Sequence, residues 1–159
     1  MQLNGYDIKM DNEYLVVFTI ESQRFAVMHT AVERIVRAVE VTPFPAAPDI
    51  ILGVINVQGR VLPVINMRKR LHIKDREVDI DDKLIVLNTR KRTVIITADT
   101  IVGVIKGEEI ICAEDIAKNA DVVQGIFRAN DGLTFICDIE KFLSIAEEEA
   151  LERAEISIK

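Results

Sequence analysis

Two stretches of this chain, set about 70 residues apart, follow one script. Leu15-Val-Val-Phe-Thr-Ile20, a polar turn and Arg24-Phe-Ala-Val27 are answered by Leu84-Ile-Val-Leu-Asn-Thr89, a polar turn and Arg92-Thr-Val-Ile95. Gly53-Val-Ile-Asn56 before a turn and Leu62-Pro-Val-Ile65 after it are answered by Gly125-Ile-Phe-Arg128 and Leu133-Thr-Phe-Ile136. A shared offset in both matches is the mark of an internal repeat, so the two halves are expected to fold alike. Each half holds about five apolar, β-branched runs, near the modal sheet size. Five twisted strands with one apolar face tend to close into a small barrel. The expected fold is therefore mainly β: two pseudo-symmetric five-stranded barrels and a C-terminal helix. One continuous ten-stranded sandwich is the competing arrangement. The charged stretch Lys74 to Lys83 and the repeat favour two barrels. The expected subdomains are residues 14–71 and 84–138, with a connector at 72–83 and the helix at 139–154.

The clearest local signal is Leu52 to Val57 and Val61 to Ile65, joined across Gln58-Gly59, which reads as a buried hairpin. Gly59 supplies the positive φ of the turn. Pro63 lacks an amide donor and belongs at an edge or a bulge. Further strands are expected at Tyr14 to Glu21, Arg24 to Met28, Ile35 to Val41, Leu84 to Asn88, Thr93 to Ala98, Ile101 to Ile105, Val122 to Arg128 and Leu133 to Asp138. Asn130-Asp131-Gly132 is a hairpin turn. Thr30 with Glu33 suits a capping box, Met67 to Leu71 a single helical turn, and Ala113 to Ala117 a short helix. Phe142, Leu143, Ala146, Ala150 and Leu151 recur at helical spacing.

Composition narrows the function. A net charge of −6 argues against nucleic-acid binding. No apolar run approaches the ~18 residues of a membrane span, and Met1 to Glu13 has no signal-peptide h-region. Cys112 and Cys137 lack metal spacing and read as reduced thiols in a cytoplasmic protein. His29 and His72 have no ligand-spaced neighbour, and Ser144 has no nucleophile context. Asp79, Asp81 and Asp82 lack the glycine and distal Glu of a calcium loop and read as a hydrated connector. Arg68-Lys69-Arg70, Arg90-Lys91-Arg92 and Glu147-Glu148-Glu149 all read as solvated surface. No cofactor, metal or catalytic residue is expected. A large aliphatic core without a convergent polar constellation points to a binding module that works through its surface.

The order of motifs resembles the CheW family of bacterial chemotaxis coupling proteins. The resemblance runs from the Phe-Thr-Ile of the first strand through Val32-x-x-Ile35, the loop Pro43-Phe-Pro-Ala-Ala-Pro48 and Gly53-Val-x-Asn56-x-x-Gly59. It continues in Val61-x-Pro63-Val64, Leu84-Ile-Val-Leu and Asp138-Ile-x-Lys-Phe-Leu143. The family implies two intertwined barrels and a non-catalytic adaptor at membrane-associated chemoreceptor arrays. Its implied partners are the cytoplasmic tip of methyl-accepting chemotaxis proteins and the regulatory domain of the histidine kinase CheA. With no room for a receiver or kinase domain, the chain resembles CheW rather than CheA or CheV. A coupling protein of a non-chemotactic pathway, for pili, gliding motility or development, is the alternative; an enzyme on a double barrel is another.

On this resemblance Ile55, Val57, Gln58, Val61, Val102 and Val104 are the expected receptor face. Arg37, Glu40, Thr42 and Phe44 are the expected kinase face. The chain departs from the family's Val-x-Glu-Ile and Asn-x-Arg-Gly, carrying Arg34 and Gln58 at those positions. A compensating polar pair between Arg34 and Gln58 is expected, because a single change would strand a charge.

Overall fold

The structure is a computed structural model that describes residues 13–112, 122–129 and 132–157. Among the described residues, eleven strands, β1 to β11, and two α-helices, α1 and α2, follow in chain order. The strands are β1 Tyr14–Ile20, β2 Gln23–Met28, β3 Val32–Arg37, β4 Ile51–Val57, β5 Arg60–Ile65 and β6 Lys83–Asn88. After them come β7 Thr93–Ala98, β8 Thr100–Lys106, β9 Ile111–Cys112, β10 Val123–Ala129 and β11 Gly132–Cys137. The helices are α1 Met67–Arg70 and α2 Ile145–Ser157.

Two sheets form, ordered β3-β6-β7-β5-β4 and β8-β1-β2-β11-β10-β9. Leave out the two-residue β9 and the orders are equivalent, position by position. The parallel pair β5–β7 is matched by β11–β2. A one-residue bulge in β3 opposite β6 is matched by one in β8 opposite β1. A bulge before Gly53 in β4 is matched by one before Gly125 in β10. The repeat is therefore present in the hydrogen-bond register. That register sets Thr93, not Arg92, in the place of Arg24.

Strand membership does not follow the contiguous subdomains expected at 14–71 and 84–138. The β1–β2 hairpin lies in the sheet built otherwise from β8 to β11, and β6–β7 lies between β3 and β5. Each half lends its first hairpin to the other, the intertwining implied by the family resemblance. The expected barrels are also open sheets: neither β3 with β4 nor β8 with β9 is paired. A bridge from Thr42 to Val54 turns the chain after β3 back onto β4.

Exchange explains the unbroken apolar runs. Leu15 and Val17 of β1 point into a core with Ala26, Phe127 and Ile136, inside the six-stranded sheet. Val16, Phe18 and Ile20 point the other way, into the large core between the sheets. In β6, Leu84 and Val86 fill the five-stranded sheet's own core. Ile85 and Leu87 join the central one. A strand covered on both faces has no solvent side, so alternation disappears from its sequence. Gly53 lies where Thr42 crosses β4, and a Cβ there would overlap the Thr42 carbonyl oxygen. Pro63 stands just before the β5–β7 ladder begins at Val64.

The β4–β5 turn has positive φ at Gln58 and Gly59, and Asn56 Oδ1 accepts from the Gly59 amide at 2.8 Å. Residues His29–Ala31 form a 3₁₀ turn with no side-chain cap, so the box expected at Thr30 and Glu33 is absent. The C-terminal helix begins later than expected. Asp138 caps a separate 3₁₀ turn at Ile139–Lys141. Ser144 and Glu147 then exchange a true capping box, each side chain accepting from the other's amide (3.0 and 2.8 Å). The expected helix at 113–117, the turn residues Asn130 and Asp131, and the side chain of Cys112 lie outside the described residues.

Candidate functional site

The expected receptor face divides in two. Ile55 and Val57, 4% and 9% exposed, point into the core of the five-stranded sheet with Leu62 and Val86. They are core, because β4 alternates and its odd residues face inward. Val61, Val102 and Val104 are 58%, 45% and 55% exposed. Gln58 is exposed at the hairpin tip. Val102 and Val104 lie two residues apart on the edge strand β8, while Val61 belongs to the other sheet.

Of the expected kinase face, Arg37, Glu40 and Thr42 are exposed, and Phe44 is half-buried against the central core. Thr42 is held by backbone bonds to Val54 at 2.9 and 2.8 Å. The Ala38 amide donates to the Asp82 carbonyl at 3.0 Å, which ties this segment to the start of β6.

Arg34 and Gln58 do not form the expected pair. The nearest acid to Arg34 is its neighbour Glu33, at 3.9 Å. The pair that does form is displaced by one residue on one side and two on the other. Arg60 Nη1 donates to both Glu33 carboxylate oxygens, at 3.0 and 2.8 Å. Arg60 Nη2 donates to Thr93 Oγ1 at 2.8 Å. The Thr93 hydroxyl donates to Asn88 Oδ1 at 2.7 Å, and Asn88 Nδ2 reaches Glu33 at 3.5 Å. The bond from Arg60 holds the Glu33 carboxyl below its usual range.

Of the charged runs expected to be solvated, Lys69, Asp79, Asp81, Arg90, Lys91 and Glu149 are exposed, Arg70, Arg92, Glu147 and Glu148 are half-buried, and Arg68 and Asp82 are buried. Arg68 is almost fully buried and forks between Asp99, both oxygens at 2.9 Å, and Glu21 at 2.6 Å. Arg76 joins Asp99 at 2.8 Å to Asp82 at 2.7 and 2.9 Å. The chain Glu21–Arg68–Asp99–Arg76–Asp82 thus fastens the connector across both sheets. Burial raises the Asp82 carboxyl, but the bonds from Arg76 and the Asp79 amide outweigh it and the net shift is downward. Arg70 pairs with Glu147 at 2.7 Å, and Arg92 with Glu148 at 2.8 Å and Glu155 at 2.7 Å. These bonds clamp α2 over Leu151, which is fully buried.

Cys137 is buried, and burial, with Asp138 beside it, pushes its thiol up to about 12. Among the described residues no three His, Cys, Asp or Glu stand together as a metal site. No helix among them is long and apolar enough to cross a membrane. A cleft of about 680 Å³, floored by Phe25, Val123, Phe135 and Leu143, contains none of the expected docking residues.

Residues 14–147 match the family model of the CheW-like domain. The chain belongs to the CheW-like family. It is 26% identical over 145 residues to the chemotaxis protein CheW of Treponema pallidum, covering 84% of this chain and 83% of that one. Against CheW of Bacillus subtilis the identity is 29% over 135 residues, covering 82% and 86%. The fold matches the crystal structure of the scaffolding protein TtCheW from Thermoanaerobacter tengcongensis with a TM-score of 0.77. There the identity is 24%, over 86% of this chain and 95% of that chain.

Sequence reading missed Glu33 with Arg60, and Arg68. The signal for Arg68 was its place between buried Met67 and the half-buried Leu71 in a single helical turn, where a solvated run is not expected. Nothing in sequence marks Arg60 as opposite Glu33, because β3 and β5 meet only through the exchanged β6–β7 hairpin.

Proposed function

We propose that this CheW-like chain is a non-catalytic adaptor, coupling the cytoplasmic tip of methyl-accepting chemoreceptors to the regulatory domain of the histidine kinase CheA. The observation that carries the reading is the family match over 14–147, shared with relatives that are chemotaxis proteins CheW. The physical support is what the fold leaves uncovered. Val61 at the exposed start of β5, and Val102 and Val104 on the outward face of the edge strand β8, stay exposed. An apolar stripe on a receptor helix is the partner such side chains suit. The kinase regulatory domain, of the same fold by family resemblance, docks at Arg37, Glu40 and Thr42, with half-buried Phe44 bracing the loop from below. Both contacts are modest in area and reversible. The protein works at membrane-associated receptor arrays, held there by its partners.

The test is co-sedimentation. Receptor signalling fragments assembled on vesicles should carry the CheA regulatory domain into the pellet only when this chain is present. Kinase that pellets equally without it, or stays in the supernatant with it, would reject the coupling function.

A further inference from the structure

We propose that Glu33 is a positioning residue for receptor recognition: by clasping Arg60 across the mouth of the five-stranded sheet, it sets where the hairpin tip Gln58–Val61 stands relative to β3. The proposal rests on the coupling function given above.

Geometry is the first argument. The strands run β3-β6-β7-β5-β4, so Glu33 and Arg60 sit toward opposite ends of the sheet, with β6 and β7 between them. Glu33 falls at the β3 bulge, the one residue of that strand without a partner on β6. A bulge re-aims a side chain. Its carboxylate meets Arg60 Nη1 at 2.8 Å, and Asn88 of β6 and Thr93 of β7 close the ring beneath them. All four strand ends are tied where no backbone ladder joins β3 to β5.

Energetics is the second argument. Both side chains are partly exposed, and such ion pairs contribute little to folding. Four ordered side chains are poorly explained by stability alone. They are well explained by what they hold still. Gln58, Gly59, Arg60 and Val61 are consecutive exposed residues at the tip, and Asn56 already locks the turn from within. The clasp fixes this rigid tip from outside. Pre-organisation of that kind lowers the ordering cost of binding.

The other sheet supplies an internal control. Its register puts Val102 in the place of Glu33 and Gly132 in the place of Arg60, so no clasp can form there. The clasp belongs to one docking face and not to the fold.

The experiment measures affinity for soluble receptor signalling fragments and for the CheA regulatory domain, with thermal midpoints, in E33A, R60A, E33A/R60A and the charge exchange E33R/R60E. E33A and R60A should each weaken receptor binding about 5–10-fold, the size of one coupled pair, and the double variant no further. The exchange should recover most of the loss. Kinase affinity and thermal midpoints should stay at wild-type values. Unchanged receptor affinity in E33A overturns the proposal, as do losses that multiply in the double variant. A fall in kinase affinity or thermal midpoint matching the receptor loss also overturns it, because the role would then be structural. Wild-type protein that binds kinase but no receptor fragment would reject the coupling function and this proposal together.

Discussion

Strands β3 and β8 hold the same place in their sheets, carry the same bulge, and present different surfaces. At the bulge β3 has Glu33 and β8 has Val102; two residues on, Ile35 corresponds to Val104. Across the mouth, Arg60 answers Glu33, whereas the position equivalent to Arg60 in the other sheet is Gly132, with no side chain at all. Inward residues did not diverge in this way: Leu84 and Val86 repeat Leu15 and Val17 as aliphatic core. The fold is set by what both halves bury. Function has room only in what each half leaves outside. One half exposes a polar clasp and the other a bare valine edge, so a pseudo-symmetric scaffold carries two unlike faces.

The largest way to break this comparison is to confuse inside with outside. Val57→Asp puts a charge into the core of the five-stranded sheet and should cost about 4 kcal/mol or more, abolishing cooperative unfolding near ambient temperature. If V57D instead folds as well as the wild type by urea titration, β4 does not bury its odd residues. Next in size is the ionic chain joining the sheets. Asp82→Ala leaves Arg76 only its bonds to Asp99 and the Glu77 carbonyl, removes the acceptor of the Asp79 amide, and should cost about 1.5–3 kcal/mol in the same titration. Gly53→Ala forces a methyl group against the Thr42 carbonyl and should cost about 1–3 kcal/mol, by overpacking. The equivalent change at Gly125 should show whether both bulges are equally tight.

A pH titration separates Asp82 from general acid unfolding. Its folded pKa lies below the ordinary 3.8, so its contribution is complete above that value and is lost as pH falls through the folded pKa. The stability gap between wild type and D82N should therefore hold from neutral pH to about pH 5, then shrink below 3.8. A gap that stays constant down to the end of the acid transition would mean that the Asp82 charge is not what Arg76 needs.

How much of this was legible in sequence follows from the same division. The repeat, the Gln58-Gly59 turn and most strands could be read, because apolar runs and glycine turns act locally. The hairpin exchange could not be read from strands alone, since Leu15–Ile20 would pack identically in either sheet. The helix start at Ile145 was hidden by Phe142 and Leu143, which keep helical spacing although the Ser144–Glu147 box comes after them. Arg68, Arg92 and Asp82 looked like surface because their partners lie 31, 56 and 6 residues away. Ile55 and Val57 were placed on the docking face because an apolar residue in a hairpin looks the same whether its strand turns it in or out.

The smallest change in stability should carry the largest change in function. Val104→Asp sits on the exposed edge of β8 and should shift folding stability by no more than about 0.5 kcal/mol. Co-sedimentation of V104D with receptor fragments and the CheA regulatory domain tests the central claim most directly. The account predicts that receptor binding falls at least about tenfold while kinase binding is kept, since a buried charge facing an apolar stripe costs more than one decade of affinity. Receptor binding equal to wild type in a folded V104D would contradict it.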